Sequence, residues 1–541
     1  MAPHRGASLL LLCAALLAPL AADALPATSR IASALPKVAA AYAALNATTP
    51  QRLAEIEANS TNQDYLVIKE TDSGGSYVAA SCWALFKLML HVDGRMAAPG
   101  SKFKKVEVDL PCGPGSVTPR GGGGGSWGAP SYGDCYYGNI TELNATSGWL
   151  SLKFTPPKEL AGASLTLRAL RSGPGACAGE FESPGAPRTT TLGGGAVGAA
   201  GAQLAAAAAA EVPLLLLMGD PSPDAKGRPS KPSKWPSVAL EGVSLDGGGL
   251  RPGLSAAYVK KVSLSELDVA NFKGRGSGAA IELVDTAAAF RCKAKRPCKV
   301  RDSVTAAAPI EIPSGGGALS IRLQTIGGAG LYRSDWVDYE NNTHGLLGGP
   351  LFVWKSSLQA ATVTIARGRI TGNRAPYCAT GATFKDDGRI DMSKTKTSVP
   401  GKKLTIIIKS RGKELSTWWS DNRPPPGTAV HPLYSNLLFC GAVEHWVWHP
   451  LYTGYRLAQP YNIAWKTEVR DYSLWSDGFV YNSIDWPYNI NWQPEYGYYA
   501  EANGTVVRVE MGAAAAAAVA AAKAAGLPAP REWDPSSAAL L

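Results

Sequence analysis

Several groups of side chains in this 541-residue chain could do chemistry. Asp386 and Asp387 are adjacent, and Asp335, Asp338 and Glu340 cluster beside Arg333. Two carboxylates on one groove can divide general-acid and nucleophile or base roles in glycosidic cleavage. Asp386-Asp387-Gly388 also reads as a solvated turn, and the spacing of 335, 338 and 340 matches no Ca²⁺ loop. His445 and His449 are four apart with Glu444 beside them. On a helix the two imidazoles would share a face and could bind Zn²⁺ or Cu²⁺. The order is E-H-x-x-x-H rather than H-E-x-x-H, and the alternative is a structural role in an aromatic-rich core. No metal and no cofactor is expected.

Two groups could bind rather than react. Residues 259–301 carry ten basic and four acidic side chains. Within them Arg291, Lys293, Lys295, Arg296, Lys299 and Arg301 straddle Cys292 and Cys298. A disulfide between these cysteines would staple a basic loop and preorganise it for carboxylate or sulfate groups. The alternative is a merely solvated loop. Farther on, residues 416–500 hold eight of the 15 Trp. Tyr461-Asn462-Ile463-Ala464-Trp465 and Tyr488-Asn489-Ile490-Asn491-Trp492 match closely, with a looser copy ending at Trp486 and a Trp-Ser-Asp echo at Trp475. On a strand the Tyr, Ile and Trp of each copy share one face. Trp465, Trp475, Trp486 and Trp492 could stack on sugar rings while Asn and Asp bind hydroxyls. They could equally pack as core.

Other chemistries lack their motifs. There is no phosphate-binding Gly-rich loop followed by Lys-Ser/Thr, no G-x-S-x-G elbow and no nucleotide fingerprint. The formal net charge is +10, and acidic extracellular polysaccharide is the partner it suggests in a secreted chain, in preference to nucleic acid.

Secretion is the expectation from the chain ends and cysteines. Residues 1–24 read as a signal peptide: His4 and Arg5, an apolar run from Ser8 to Ala22, and a small-x-small site at Ala22-Asp23-Ala24. Cys13 leaves with it, and eight cysteines remain. An even number in a secreted chain suggests disulfides, with Cys292–Cys298 the local pair and the full connectivity open. Asn46, Asn59, Asn139, Asn144, Asn341 and Asn503 begin N-x-[ST] acceptors for glycosylation. No transmembrane anchor is expected.

The scaffold that must carry these groups reads as mainly β. Gly 59 and Pro 39 are high, the charged fraction of 18% is low, and 45% hydrophobic content is enough for a core. Residues 25–64 hold the helical signal, with Thr49-Pro50 as a start. From 65 to 415 short β-type runs alternate with Gly/Pro/Ser/Asn clusters, and no helix longer than three turns is expected. Examples are Val238 to Leu245, Val262 to Val269, Ile281 to Val284, Leu319 to Ile326 and Val363 to Ile370. Antiparallel sandwiches and parallel coils both produce such runs. The stretches 111–130, 172–201 and 219–236 read as Gly/Pro-rich insertions. Residues 416–510 form the aromatic-rich segment, and the Ala-rich 511–541 reads as a helical tail.

Within 237–415 the runs recur in one order: a β run, an Asn or Gly turn, then a small-residue patch. One copy is Leu267 to Phe272 followed by Gly276-Ser277-Gly278-Ala279-Ala280-Ile281. Others are Val363 to Ala375 followed by Thr380-Gly381-Ala382, and Gly348 to Val353. Here the chain resembles right-handed parallel β-helix proteins of the pectin-lyase-like type. The resemblance implies a coil of stacked turns, small residues where turns stack closely, and a helix capping the N-terminal end. It also brings polysaccharide hydrolases and lyases into view. Of the hydrolase pattern N-T-D … D-D … G-H-G … R-I-K, only Asp386-Asp387 is present.

The expectation is therefore a secreted glycoprotein of extracellular matrix or cell wall, binding acidic or sulfated polysaccharide without catalysis. The alternatives are a polysaccharide lyase or glycoside hydrolase on the same coil, and a wall protein that self-associates.

Overall fold

The computed structural model describes residues 65–113, 115–117, 125–127, 151–177, 190–193, 212–222, 231–306, 315–323, 331–345, 348–355, 361–375, 381–385, 404–409, 419–420, 422, 440–443, 446–447, 456–457, 496–500 and 506–510. It is mainly β, and its large sheets are parallel. The described residues fall into two compact units. The first is drawn from Met1–Gly274, Ala280–Cys298 and Gly327–Leu331, the second from Arg275–Ala279, Lys299–Ile326 and Tyr332–Leu541.

In the first unit the chain circulates among three parallel ladders. One contains Lys105–Leu110, Ser164–Ala169, Ser237–Glu241, Lys261–Ser265 and Ala288–Arg291. Another contains Thr190–Gly193, Val243–Asp246 and Val269–Ala270. The third contains Leu152–Phe154, Leu215–Met218, Leu254–Ala257 and Ile281–Val284. Ser237 pairs with Lys261 and Val262 with Ala288, so successive circuits take 24 and 26 residues. Each circuit is one rung of a coil.

Alternation decides which side chains fill that coil. Val238, Leu240, Val262, Leu264 and Phe290 are buried, while Ser237, Glu241, Lys261 and Arg291 on the same strands reach solvent to different degrees. Each buried Val or Leu contributes about 1.5–3 kcal/mol of transfer free energy. Stacking identical columns makes the core continuous.

The corners are sharp. Gly242 alone separates Ser237–Glu241 from Val243–Asp246, at φ 67°. The run Val238 to Leu245, which reads as one segment, is therefore two strands on two sheets. Glu266, Asn271, Tyr258 and Asp285 also adopt positive φ at bends. Asn and Asp tolerate that region better than other residues with a Cβ. The small-residue expectation holds at Gly253, where a Cβ would collide with the carbonyl of Ala280.

The second unit repeats the arrangement. Ala361–Ala366 pairs with Leu404–Lys409; Val337–Glu340, Ile370–Thr371 and Trp419–Ser420 form a second ladder. Leu319–Leu323, Leu351–Lys355, Ala382–Lys385 and Cys440–Val443 form a third. All of these pairings are parallel, so a sandwich of facing antiparallel sheets is not the architecture of these segments.

Two expectations are corrected. Residues 82–97, inside the stretch read as β, form a helix of 16 residues. Ser81 caps it by accepting the Ala84 N–H at Oγ, 3.0 Å away. Leu85, Phe86, Met89, Val92 and Met96 recur at helical spacing and are all buried. Leu85 and Met89 line one small cavity together with Leu165, Leu167, Leu215, Leu217 and Leu240, inward side chains of the first unit's rungs. Second, Thr190–Gly193 lies within the stretch 172–201 read as an insertion, yet it pairs with Val243–Asp246. Its buried Leu192 earns the place. The stretch 111–130 likewise carries a small antiparallel pair, Gly115–Val117 with Gly125–Trp127.

The expected cap over 25–64, the signal over 1–24 and the Ala-rich helix over 511–541 lie outside the described residues. None of the described helices is long and apolar enough to cross a membrane.

Candidate basic hairpin

The stapled loop forms. Cys292 and Cys298 are joined with Cα atoms 5.8 Å apart, and the Arg296 N–H donates to the Lys293 carbonyl at 3.0 Å, closing the turn. Strand Ala288–Arg291 leads into it. Phe290 points to the core, so Arg291 points out, and the short loop turns Lys293, Lys295 and Arg296 to solvent.

The charges are not equally available. Glu266, on the preceding rung, takes Lys293 Nζ at 2.9 Å and Arg171 at 3.4 Å. The Lys293 hydrogen bond holds the Glu266 carboxyl below its ordinary range, against a smaller opposing effect of burial. Arg296 adds to the field at Glu266. Arg291 and Lys295 form no ion pair among the described residues. Lys299 pairs with Glu340 at 2.8 Å and Arg301 with Asp302 at 2.7 Å, both in the second unit. Half of the six cations are therefore matched by a carboxylate at contact distance.

The carboxylate candidates do not converge. Both oxygens of Asp335 are taken by Arg367, whose guanidinium also lies over the Trp336 ring at 5.2 Å. Arg333 lies 3.9 Å away. Asp338 is buried and accepts the backbone N–H of Arg369 at 2.9 Å. One carboxylate is an ion-pair partner, the other a strut for the backbone. Asn341 is exposed, and its amide donates to Asp302 at 3.4 Å.

A cluster of titratable groups around Glu70 has no counterpart among the sequence motifs. Glu70 Oε2 accepts from the Tyr77 hydroxyl at 2.8 Å and from His91 Nε2 at 2.9 Å, while Arg95 approaches Oε1 at 3.3 Å. Burial works to raise the Glu70 pKa, but the bonds from His91 and Tyr77 and the charge of Arg95 outweigh it and leave it lowered. Burial, then the Glu70 bond, pushes the Tyr77 phenol up. His91 and Arg95 are four apart on helix Cys82–Ala97, and Glu70 and Tyr77 belong to the hairpin Leu66–Thr71/Gly74–Val78. The group locks that hairpin to the helix. The His91/Arg95 spacing is the one local signal of this cluster, and it has meaning only on a helix.

Cys112 and Cys177 are also joined, Cα atoms 4.8 Å apart, and Cys82 is disulfide-bonded. Among the described residues no three His, Cys, Asp or Glu side chains are grouped to hold a metal ion. Asp386, Asp387, His445, His449, Trp465, Trp475, Trp486, Trp492, Asn46, Asn59, Asn139, Asn144 and Asn503 lie outside the described residues. Comparison with protein-family models, with curated proteins and with solved structures found no match for the chain.

Proposed function

We propose that the protein is a secreted, N-glycosylated β-helix of the right-handed, pectin-lyase-like kind that binds acidic or sulfated polysaccharide in an extracellular matrix or cell wall, without catalysis. The observation that carries this reading is the disulfide-closed hairpin at 292–298, with Arg291 and Lys295 exposed and outside any ion pair among the described residues. A closed loop loses little conformational freedom when it meets an anion, so its cations bind more tightly than the same residues on an open chain. The disulfides agree with an oxidising compartment, and the exposed Asn341 sequon agrees with a glycan acceptor.

The test is binding of the full chain to polygalacturonate and to heparin across a salt series. Affinity should fall steeply with ionic strength, and neutral dextran should not bind. Salt-insensitive binding, or none, overturns the reading. Release of unsaturated or reducing ends from either polymer would replace it with an enzyme.

A further inference from the structure

The first unit's longest parallel ladder has two unlike edges. At the edge where its strands end, acids and bases interleave and pair: Arg168 with Asp109 and Glu107, Arg171 and Lys293 with Glu266. At the edge where they begin, lysines outnumber acids. Register stacks Lys105, Ser164, Ser237 and Lys261 in one column. Lys104 precedes Lys105, and its carbonyl accepts the Ser164 N–H at 2.7 Å. Lys260 donates its N–H to the Pro236 carbonyl at 2.8 Å, one rung on. Single-turn 3₁₀ segments set Lys158 and Lys234 on the two rungs between, and the Lys234 carbonyl accepts the Gly162 N–H at 2.9 Å. All six lysines are exposed.

Against them stand Glu159, Glu107, which binds Lys105 at 2.7 Å, and the exposed Asp72, next to the Ser73 carbonyl that accepts the Lys104 and Lys105 N–H groups. Lys104, Lys158, Lys234, Lys260 and Lys261 make no ion pair among the described residues. Rungs repeat at about 4.8 Å, so lysines recur on four successive levels over about 14 Å. Stacked like charges repel and add nothing to fold stability. The opposite edge shows that this scaffold accommodates alternating signs. An edge with six lysines against three acids fits an external ligand of negative charge that extends along the stacking direction.

We propose that this lysine edge is a second contact surface, a track for a linear anionic polysaccharide running along the coil axis, distinct from the 292–298 hairpin. The proposal rests on the reading that the ligand is an acidic polysaccharide, and it adds the surface and the chain direction. Each lysine acts as a mobile point charge, so carboxylate and sulfate polymers of matching pitch both fit.

The test uses the full chain with labelled polygalacturonate and heparin across a salt series. The edge variant is Lys158→Gln/Lys234→Gln/Lys260→Gln, and the hairpin variant is Arg291→Gln/Lys295→Gln/Arg296→Gln. All six positions are exposed, and circular dichroism melting checks each fold. The edge variant should bind roughly a hundredfold more weakly at low salt, with the salt slope reduced by about three. Lys158→Arg/Lys234→Arg/Lys260→Arg should bind as the parent does. Oligosaccharides with fewer than three charges should not distinguish parent from edge variant. An edge variant that binds like the parent, while the hairpin variant is weakened, overturns the track and leaves the proposed function standing. Failure of the parent to bind either polymer overturns the proposed function itself. Loss of binding in the arginine variant, with its fold intact, also overturns the track, because charge is what the track supplies.

Discussion

Asn373 Oδ1 accepts both the backbone N–H of Asn342, at 2.9 Å, and the Asn342 side-chain amide, at 3.1 Å. Both residues are fully buried. Asn373 Nδ2 donates onward to the Tyr339 carbonyl at 3.0 Å and to Asn422 Oδ1 at 2.8 Å. Asn342 Nδ2 reaches back to the Val300 carbonyl at 2.9 Å. An amide side chain is required because one end must accept while the other donates. Repeated from rung to rung, the pair satisfies backbone groups that a sheet corner would otherwise leave orphaned.

Asn373→Leu keeps the branching and the number of side-chain heavy atoms and removes the four bonds that the Asn373 side chain makes, to the Asn342 N–H, the Asn342 amide, the Tyr339 carbonyl and Asn422. Orphaning several buried groups at about 1–3 kcal/mol each should cost about 3–5 kcal/mol. Denaturant unfolding at unchanged m-value checks this; a loss below about 1 kcal/mol would contradict the ladder's role.

His344 should make the second unit acid-sensitive. It is buried, with Nε2 3.0 Å from the Gly276 carbonyl, and burial pushes its pKa down to about 4. The unfolded chain takes up the proton first, near pH 6.5. The neutral ring's contribution is thus complete above about pH 6.5 and is lost as pH falls to about 4, about 3 kcal/mol in all. His344→Gln should flatten the acid limb of a stability-against-pH curve. Parallel curves for parent and variant would count against the assignment.

The disulfides should differ in worth. Cys112–Cys177 spans 65 positions and Cys292–Cys298 spans 6. Loop-closure entropy gives about 4 kcal/mol for the first and about 2 kcal/mol for the second. Cys112→Ser/Cys177→Ser should lower the melting temperature more than Cys292→Ser/Cys298→Ser. The second variant should mainly weaken polyanion binding. The reverse ranking would mean that the hairpin staple supports the fold.

Helix Cys82–Ala97 should matter as much as a rung. Leu85 is fully buried and lines a small cavity with inward leucines of the coil. Leu85→Ala should cost about 2–5 kcal/mol through the cavity it leaves. Lys69→Ala, at an exposed hairpin position, is the control. Equal melting temperatures for the two variants would show that the helix does not seal the interior.

The two units were legible from sequence to unequal depth. Alternation at Val238 and Leu240, and at Val262 and Leu264, announces a buried face because each strand settles inside from outside within a few residues. The small patch at 276–280 announces close stacking for the same local reason. The corner at Gly242 was hidden, because one residue at positive φ divides a run without altering its hydrophobic pattern. Helix 82–97 was hidden too, since its nearly continuous apolar stretch suits a buried helix and a buried strand alike. The Cys292–Cys298 staple was legible because two cysteines that near have few other partners. Which of its cations Glu266 would claim was not, because Glu266 and Lys293 belong to different rungs.

Local sequence alone therefore settled the β character of the chain, the inward columns and the basic loop with its disulfide, all properties of residues within a few positions of one another. Tertiary structure alone decided which strands share a ladder, which carboxylates silence which cations, and that six lysines spread from 104 to 261 stand along one edge. Those relations depend on the length of each circuit around the coil, and circuit length is set by corners and insertions that leave no periodic trace in the chain.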